Sequence, residues 1–417
     1  MRVLLVNTSE QGGGAAIATS RLKEALIDNG IRAKLLVRVK KTNNLSVVGL
    51  KKSWKLRYNF IRERFKIWII NGFHRDHLFD IDIASNGSDI TKLQEFKDAD
   101  IIHLNWINQG FISMKGLKKI LKSGKPIVWT MHDMWEFTGV CHYVYDCEKY
   151  KTECHNCPLM KNPRRKDLSY KTFRKKAKLF QDYTINFVAV SSWLAQKAKQ
   201  SQLLKYQPVS IIPNALSISQ FSLKDKQAAR NLLSLPDKYI ILFGAIKIDD
   251  ERKGFEYLVE SIKILLEKNI FQHDQLLLTL FGEVKNEEIL SNLPIEYTNF
   301  GFIKDDDELS ALYAAANVTV IPSLYETFGQ TVVEALACGC LPVTFNNSGQ
   351  TDIIEHKTNG FLAEYLSTES LANGIQWALE TSISPADLRA TVTKKYSESV
   401  IANKYIELYN KLAKTKA

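Results

Sequence analysis

Short apolar runs alternate with amphipathic stretches along nearly the whole chain, and the plan is laid down twice. In the first half Arg2–Val6, Lys34–Val37, Ala99–Leu104, Ile127–Met131 and Asn186–Val190 read as strands, with helices at Ala15–Asn29, Lys115–Lys122, Leu168–Gln181 and Ser192–Gln200. In the second half Tyr239–Ala245, Leu276–Phe281, Val318–Ile321 and Leu341–Thr344 read as strands, with helices at Phe255–Glu267, Asp307–Ala316, Thr331–Cys338 and Thr351–His356. Apolar strands joined by helical crossovers demand a parallel sheet covered on both faces. The expected fold class is α/β, with two Rossmann-like, doubly wound domains facing a central cleft. A chain of 417 residues also exceeds one ordinary core. The segment Gln207–Asn214, with Pro208 and Pro213, sets the boundary: an N-terminal domain over 1–208 and a C-terminal domain over 209–397, followed by a final helix in 398–417. In such sheets ligands bind beyond the carboxyl ends of the strands.

Apolar residues make up 45% of the chain and charged residues 24%, the proportions of a soluble globular protein. No apolar run reaches the roughly 18–20 residues that span a bilayer. Met1–Asn7 reads as a strand entering a glycine loop, not as a signal peptide, so a cytoplasmic location is expected. The net charge of +11 is divided unevenly: residues 1–210 hold 37 Lys/Arg against 18 Asp/Glu, and residues 211–417 hold 19 against 27. The first half is therefore the one suited to an anionic surface, while the acidic second half argues against a broad nucleic-acid interface. Within the basic half, Trp54, Tyr58, Ile61, Phe65 and Trp68 form one helical stripe, with Lys51, Lys52, Lys55, Arg62 and Lys66 largely off it. A second basic cluster runs from Lys161 through Arg164, Arg165 and Lys166 to Arg174, Lys175, Lys176 and Lys178. The stripe packs on the domain core, or it lies on an anionic membrane; the two clusters favour the membrane.

Chemistry concentrates in Ser323–Gly339. Glu326 and Glu334 stand eight positions apart, separated by the turn Phe328-Gly329-Gln330-Thr331 and the start of a helix. Strand, loop and helix N-terminus in that order direct backbone N–H groups at an anion. The carboxylates on either side suit sugar hydroxyls, and Glu334 lies on a helix face that needs a partner for it. Arg252-Lys253-Gly254 opens the first helix of the second half and suits a diphosphate, or is a solvated basic turn. Gly12-Gly13-Gly14 follows the first strand and lets backbone approach a phosphate or sugar, or is a bare tight turn. His132 ends Ile127–Met131, where a histidine either faces the cleft or is structural. Cys141, Cys147, Cys154 and Cys157 have the spacing C-x5-C-x6-C-x2-C, which fits a tetrahedral zinc knuckle, reduced thiols or a redox pair. Asp305-Asp-Asp307 precedes a helix and reads as its cap.

Together these residues resemble the family-4 retaining glycosyltransferases, which have the GT-B fold. The resemblance covers nearly the whole chain. It rests on the E-x7-E motif of Glu326 and Glu334 within Pro-Ser-x-x-Glu-x-Phe-Gly, on Gly339-Cys-Leu-Pro342-Val343, on Asn359-Gly360, on Lys253-Gly254, and on Ile212-Pro213-Asn214. Two departures are Ala215 in place of a glycine and Gly244-Ala-Ile-Lys247 where the family often carries an arginine; Arg252 or Lys247 would substitute. The run His132-Asp-Met-Trp with the cysteines after it resembles a subgroup found with bacterial polysaccharide genes.

The resemblance implies transfer of a sugar from a nucleotide diphosphate sugar to a glycan or polyprenyl-diphosphate-linked acceptor. Configuration would be retained and no cofactor required for catalysis; zinc would be structural. It implies His132 and Glu326 as catalytic residues. Gly13, Gly14, Arg252, Lys253, Phe328, Gly329, Gln330, Thr331 and Glu334 would hold the donor, with Glu334 on the ribose and Glu326 on the donor sugar. The last helix is expected to return to the N-terminal domain, and the protein to sit peripherally on the inner face of the membrane, in O-antigen, capsule or exopolysaccharide synthesis. A GT-B epimerase or phosphorylase, and a non-enzymatic basic membrane adaptor, are the competing readings.

Overall fold

The structure, a computed structural model, describes residues 1–51 and 54–414, so Lys52 of the first basic cluster and residues 415–417 lie outside the described residues. It divides into two compact units, Met1–Ala215 with Ile401–Ala417, and Leu216–Val400.

The first unit holds a seven-stranded parallel sheet in the order β3-β2-β1-β4-β5-β6-β7. Its strands are β1 (Arg2–Ser9), β2 (Arg32–Val39), β3 (Val47–Gly49), β4 (Ile101–Leu104), β5 (Ile127–Met131), β6 (Asn186–Ala189) and β7 (Val209–Ile211). Val3 to Val6 of β1 and all of β5 are buried, as parallel strands with both faces covered must be. Helix α1 (Gly14–Asp28) and the final helix (Glu398–Lys414) contribute to one core with this sheet, in which Leu22 and Leu26 join Leu5, Leu35, Val128, Ile401 and Tyr405. The second unit holds a six-stranded parallel sheet in the order β10-β9-β8-β11-β12-β13. These strands are β8 (Tyr239–Lys247), β9 (Leu276–Glu283), β10 (Tyr297–Asn299), β11 (Val318–Ile321), β12 (Leu341–Phe345) and β13 (Phe361–Ala363). Both sheets are the doubly wound arrangement that the alternation predicts.

The order of each sheet reverses once: between β1 and β4 in the first unit, and between β8 and β11 in the second. At such a switch point the connections leave in opposite directions and open a crevice beyond the strand ends. The glycine loop follows β1, and the loops bearing Lys253 and Glu326 follow β8 and β11.

Two expectations are corrected. The units divide after Ala215, not Pro208, because Val209–Ile211 pairs with β6 and completes the first sheet. The expected helix Thr351–His356 is a single 3-10 turn, Gly349–Asp352. Of the two readings of the aromatic stripe, core packing does not fit the helix α2 (Trp54–Ile70): Trp54, Tyr58, Ile61 and Phe65 face solvent, and the buried side carries Leu56, Glu63, Arg64 and Ile67. Asp305 caps the helix Asp306–Ala315 as expected, its side chain accepting from the Asp307 N–H at 2.9 Å. No helix among the described residues is long and apolar enough to cross a membrane.

Candidate functional site

In the second unit, the loop after β8 is built to present a lysine. The Asp250 carboxylate caps the turn Glu251–Lys253 and accepts from the Arg252 side chain at 2.9 and 2.6 Å. Gly254 then takes a left-handed conformation, φ 71°, against the carbonyl of Pro322 at the end of β11. A Cβ would run into that oxygen, so only glycine lets the two loops approach so closely. The Arg252 carbonyl accepts from the Leu324 N–H at 2.8 Å and locks the approach. The result is an ion pair between Lys253 Nζ and Glu326 Oε2 at 2.8 Å.

Glu326 is fixed from its backbone: its N–H donates to Ser348 Oγ at 3.1 Å and its carbonyl accepts from the Gly349 N–H at 2.7 Å. Gly329, φ 111°, turns the chain into the helix Gln330–Ala337. Its carbonyl takes the N–H groups of Val332 and Val333 at 3.0 and 3.2 Å. The N–H groups of Gln330 and Thr331 precede these and belong to the first turn, which has no intrahelical acceptor. Glu334 is 5% exposed and accepts from the Tyr313 hydroxyl at 3.3 Å. Burial, reinforced by Glu334, holds that hydroxyl well above the usual tyrosine range. Among the described residues, three buried polar atoms in this region, Ser323 Oγ, Gln330 Nε2 and Gln350 Oε1, have no hydrogen-bond partner within the protein.

The structure thus brings Lys253 and Glu326 together on loops beyond the strand ends of one unit, with Gly329 at the start and Gln330, Thr331 and Glu334 inside the helix that follows β11. Phe328 belongs to the fold instead: it is 3% exposed and its ring packs edge-on against Tyr396 at 5.6 Å. Of the two candidate substitutes for the family's arginine, Arg252 lies beside Lys253 with its guanidinium on Asp250, whereas Lys247 is exposed at the end of β8 opposite Glu283.

The first unit gathers a different set. Gly12 and Gly13 have φ values of 80° and 91°, and a Cβ at Gly12, Gly13 or Gly14 would meet open space. The positive φ, not crowding, is what calls for glycine there. Gly14 opens α1. His132, directly after β5, shares a hydrogen bond of 3.0 Å between its Nε2 and Asn105 Oδ1, beyond the end of β4. Burial pulls the imidazole down to about 4, so it is neutral at pH 7 and able to orient a hydroxyl. His132 borders a small recess with Asn105, Thr130, Asn214 and Tyr405.

Beneath it runs a buried chain: the Tyr409 hydroxyl to His103 Nδ1 at 2.6 Å, His103 Nε2 to Thr130 Oγ1 at 2.8 Å, and Thr130 Oγ1 to the Tyr405 hydroxyl at 2.8 Å. Beside it, the Asp133 carboxylate meets Trp106 Nε1 at 2.8 Å and His142 Nδ1 at 2.7 Å. Sequence reading passed over Asn105, Asp133 and the two tyrosines. Their signal was there, in an asparagine just past a strand and in tyrosines four apart on an amphipathic helix.

Among the described residues no three His, Cys, Asp or Glu side chains form a group that could hold a metal ion. All four cysteines are free thiols. Cys154 Sγ accepts from the Gly139 N–H at 3.2 Å. Burial pushes the thiols of Cys141, Cys154 and Cys157 up to about 12.

A family model described as "Glycosyltransferase Family 4" matches residues 12–220, and one described as "Glycosyl transferases group 1" matches residues 224–395. The chain is 28% identical over 216 residues to an uncharacterized glycosyltransferase of Methanocaldococcus jannaschii, covering 48% of this chain and 53% of that one. The matched part thus spans about half the length of that relative. It is 22% identical to the putative colanic acid biosynthesis glycosyl transferase WcaC of Escherichia coli K12, over 99% of this chain and 100% of that one. Among solved structures, Anabaena Alr3699/HepE in complex with UDP-glucose superposes with a TM-score of 0.65 at 15% identity, covering 99% and 100% of the two chains. That likeness shows the GT-B fold. With its first family model spanning half of its length, the chain belongs to Glycosyltransferase Family 4.

Proposed function

We propose that the protein transfers a sugar from a nucleotide diphosphate sugar to a glycan or polyprenyl-diphosphate-linked acceptor, with retention of configuration, in bacterial surface polysaccharide synthesis. The observation that carries this reading is the Lys253–Glu326 pair, set at a switch point beside a helix N-terminus. A cation, a carboxylate and first-turn N–H groups are what a sugar diphosphate needs: charge for the phosphates and an acceptor for the sugar hydroxyls. The UDP-glucose named with the Anabaena protein and the colanic acid role named for the Escherichia coli protein support the donor and pathway class.

In this reading the bond from the anomeric carbon to the β-phosphate oxygen breaks and negative charge builds on the diphosphate. Lys253 turns from Glu326 to that charge, aided by Arg252 and the N–H groups of Gln330 and Thr331. Glu326, released, faces the sugar and steadies its cationic carbon; Glu334 holds the ribose. The acceptor hydroxyl attacks on the face the diphosphate leaves, and its proton passes to the departing phosphate oxygen. His132 orients the acceptor. Such an acceptor places the protein peripherally, on the inner face of the membrane.

The test is calorimetric titration with UDP, GDP, ADP and their sugars, followed by transfer assays with the preferred donor. Glu326→Gln and Lys253→Ala should lose donor binding or transfer while the far-UV spectrum is unchanged. Full transfer activity in both variants would refute the site.

A further inference from the structure

Helix α2 turns Glu63 and Arg64 inward and its rings outward. Arg64 donates from Nη1 to the carbonyls of Leu78 and Ile81 at 2.6 and 3.0 Å, and from Nη2 to Asp82 Oδ2 at 2.8 Å. Glu63 Oε1 accepts from the N–H groups of Ile83 and Ser85 at 3.2 and 3.3 Å. These buried anchors fix the rotation of the helix. The opposite side then presents Trp54, Tyr58, Ile61, Phe65 and Ile69, from 41% to 73% exposed in the whole chain. At roughly 100° per residue these side chains share an arc of roughly 100°. On the same count Arg57 closes one edge of that arc and Lys55, Arg62 and Lys66 the other, all exposed. Phe73, 63% exposed, extends the patch and packs edge-on against Trp68 at 4.9 Å. An exposed apolar run of this extent marks an interaction surface.

The patch is cationic as well as aromatic. From Lys51 to Arg75 the only acid in the sequence is Glu63, and it is buried. The loop that opens the second basic cluster joins it in space, whereas Lys176 of that cluster is buried. The Lys161 N–H donates to Asn71 Oδ1 at 2.8 Å and the Lys161 ammonium meets the His74 ring. The exposed Arg164, Arg165 and Lys166 therefore belong to a loop seated at the carboxyl end of α2.

We propose that the aromatic face of α2, flanked by these cations, docks on an anionic lipid bilayer with the helix lying in the plane of the interface. This rests on the membrane placement proposed above, but not on the transfer chemistry. Rings and aliphatic side chains would enter the boundary between headgroups and acyl chains, and the cations on either edge would meet acidic headgroups. Charge chooses this occupant. A second copy would bring two rows of cations together, with Asp76 the exposed acid nearest the patch, paired with His74 at 3.6 Å, at a cost that an anionic bilayer reverses.

The experiment is flotation of the full chain with vesicles of phosphatidylcholine alone or of equal phosphatidylcholine and phosphatidylglycerol. Three double variants are compared: Ile61→Ser with Phe65→Ser, Lys55→Glu with Lys66→Glu, and Arg164→Glu with Arg165→Glu. Thermal melts and donor-nucleotide titrations run in parallel on each. The expected result is a preference of about ten-fold or more for the acidic vesicles, since several cations lie near the surface together. Each variant should lose about ten-fold or more, with melts and nucleotide affinity unchanged. Equal binding to both vesicles overturns the proposal, as does undiminished binding by all three variants. So does self-association of the parent chain, seen in sedimentation velocity, that the serine variant abolishes. Loss of nucleotide binding by the parent chain would instead count against the donor site.

Discussion

Lys253 and Glu326, 73 positions apart in sequence, meet at 2.8 Å between the loops that follow the two strands at a sheet's switch point. Both side chains are partly exposed, at 31% and 19%, so water screens the pair. Such a pair contributes about 0–1 kcal/mol to folding. Lys253→Met and Glu326→Gln should therefore leave the urea midpoint nearly unmoved, while donor affinity falls ten-fold or more for Lys253→Met. A midpoint shift equivalent to several kcal/mol with donor affinity retained would make the pair structural.

Gly254→Ala tests the same geometry without touching a charged group. The left-handed φ of 71° and the Pro322 carbonyl both oppose a Cβ there. A strained conformation of this kind costs about 1–3 kcal/mol, and the clash adds to it. The loop is expected to shift and carry Lys253 from Glu326. Stability and donor affinity should fall together, in contrast to Lys253→Met. An unchanged thermal midpoint in Gly254→Ala would show that the two loops do not approach as described.

Much of the donor half was legible because the same short segments carry both local structure and chemistry. Glu326 and Glu334 lie on either side of a glycine that must start a helix, and Lys253 precedes another glycine at a helix start. What was not legible depended on contacts distant in sequence. Three residues, Val209–Ile211, are too few to announce a strand, and only pairing with β6 makes them one. The α2 periodicity located an apolar stripe but could not say which side meets water. The partners of Arg64 and Glu63, at Leu78 to Ser85, decided that. Nothing in the sequence announced that Tyr405 and Tyr409 would reach His103 and Thr130, some 270 to 310 residues away.

The His103 chain makes stability fall in acid. Burial pulls His103 down to about 3 from an ordinary 6.5, and His132 to about 4. Between these values and 6.5 the unfolded chain binds protons that the folded chain refuses, so stability rises with pH across that window and is lost as pH falls through it. Melting midpoints measured from pH 7 to pH 4 should drop more steeply for the parent chain than for His103→Gln. Tyr409→Phe, which leaves a ring nitrogen of His103 without its partner, should cost about 1–3 kcal/mol at pH 7. Parallel curves for the parent and His103→Gln would show that His103 titrates normally.

Glu63 and Arg64 stand side by side in α2 and should respond in opposite ways. Burial first, and then the neighbouring Asp82, push the Glu63 carboxyl up to about 9. At pH 7 it is therefore neutral, and Glu63→Gln replaces it by a neutral group of similar shape that takes up no proton on folding, so stability at pH 7 should not fall. Arg64 is the charged partner of Asp82, which is fully buried. Arg64→Ala strands that carboxylate and should cost about 3–5 kcal/mol. The pH dependence separates the two. A carboxyl whose folded value is raised holds its stabilising proton below 4.5 and loses the contribution as pH rises toward 9. Glu63→Gln should therefore gain on the parent chain as pH rises from 6 to 10, read as a growing difference in chemical denaturation midpoints. A constant difference over that range would place a charged Glu63 in the core and undo the account of how α2 is anchored.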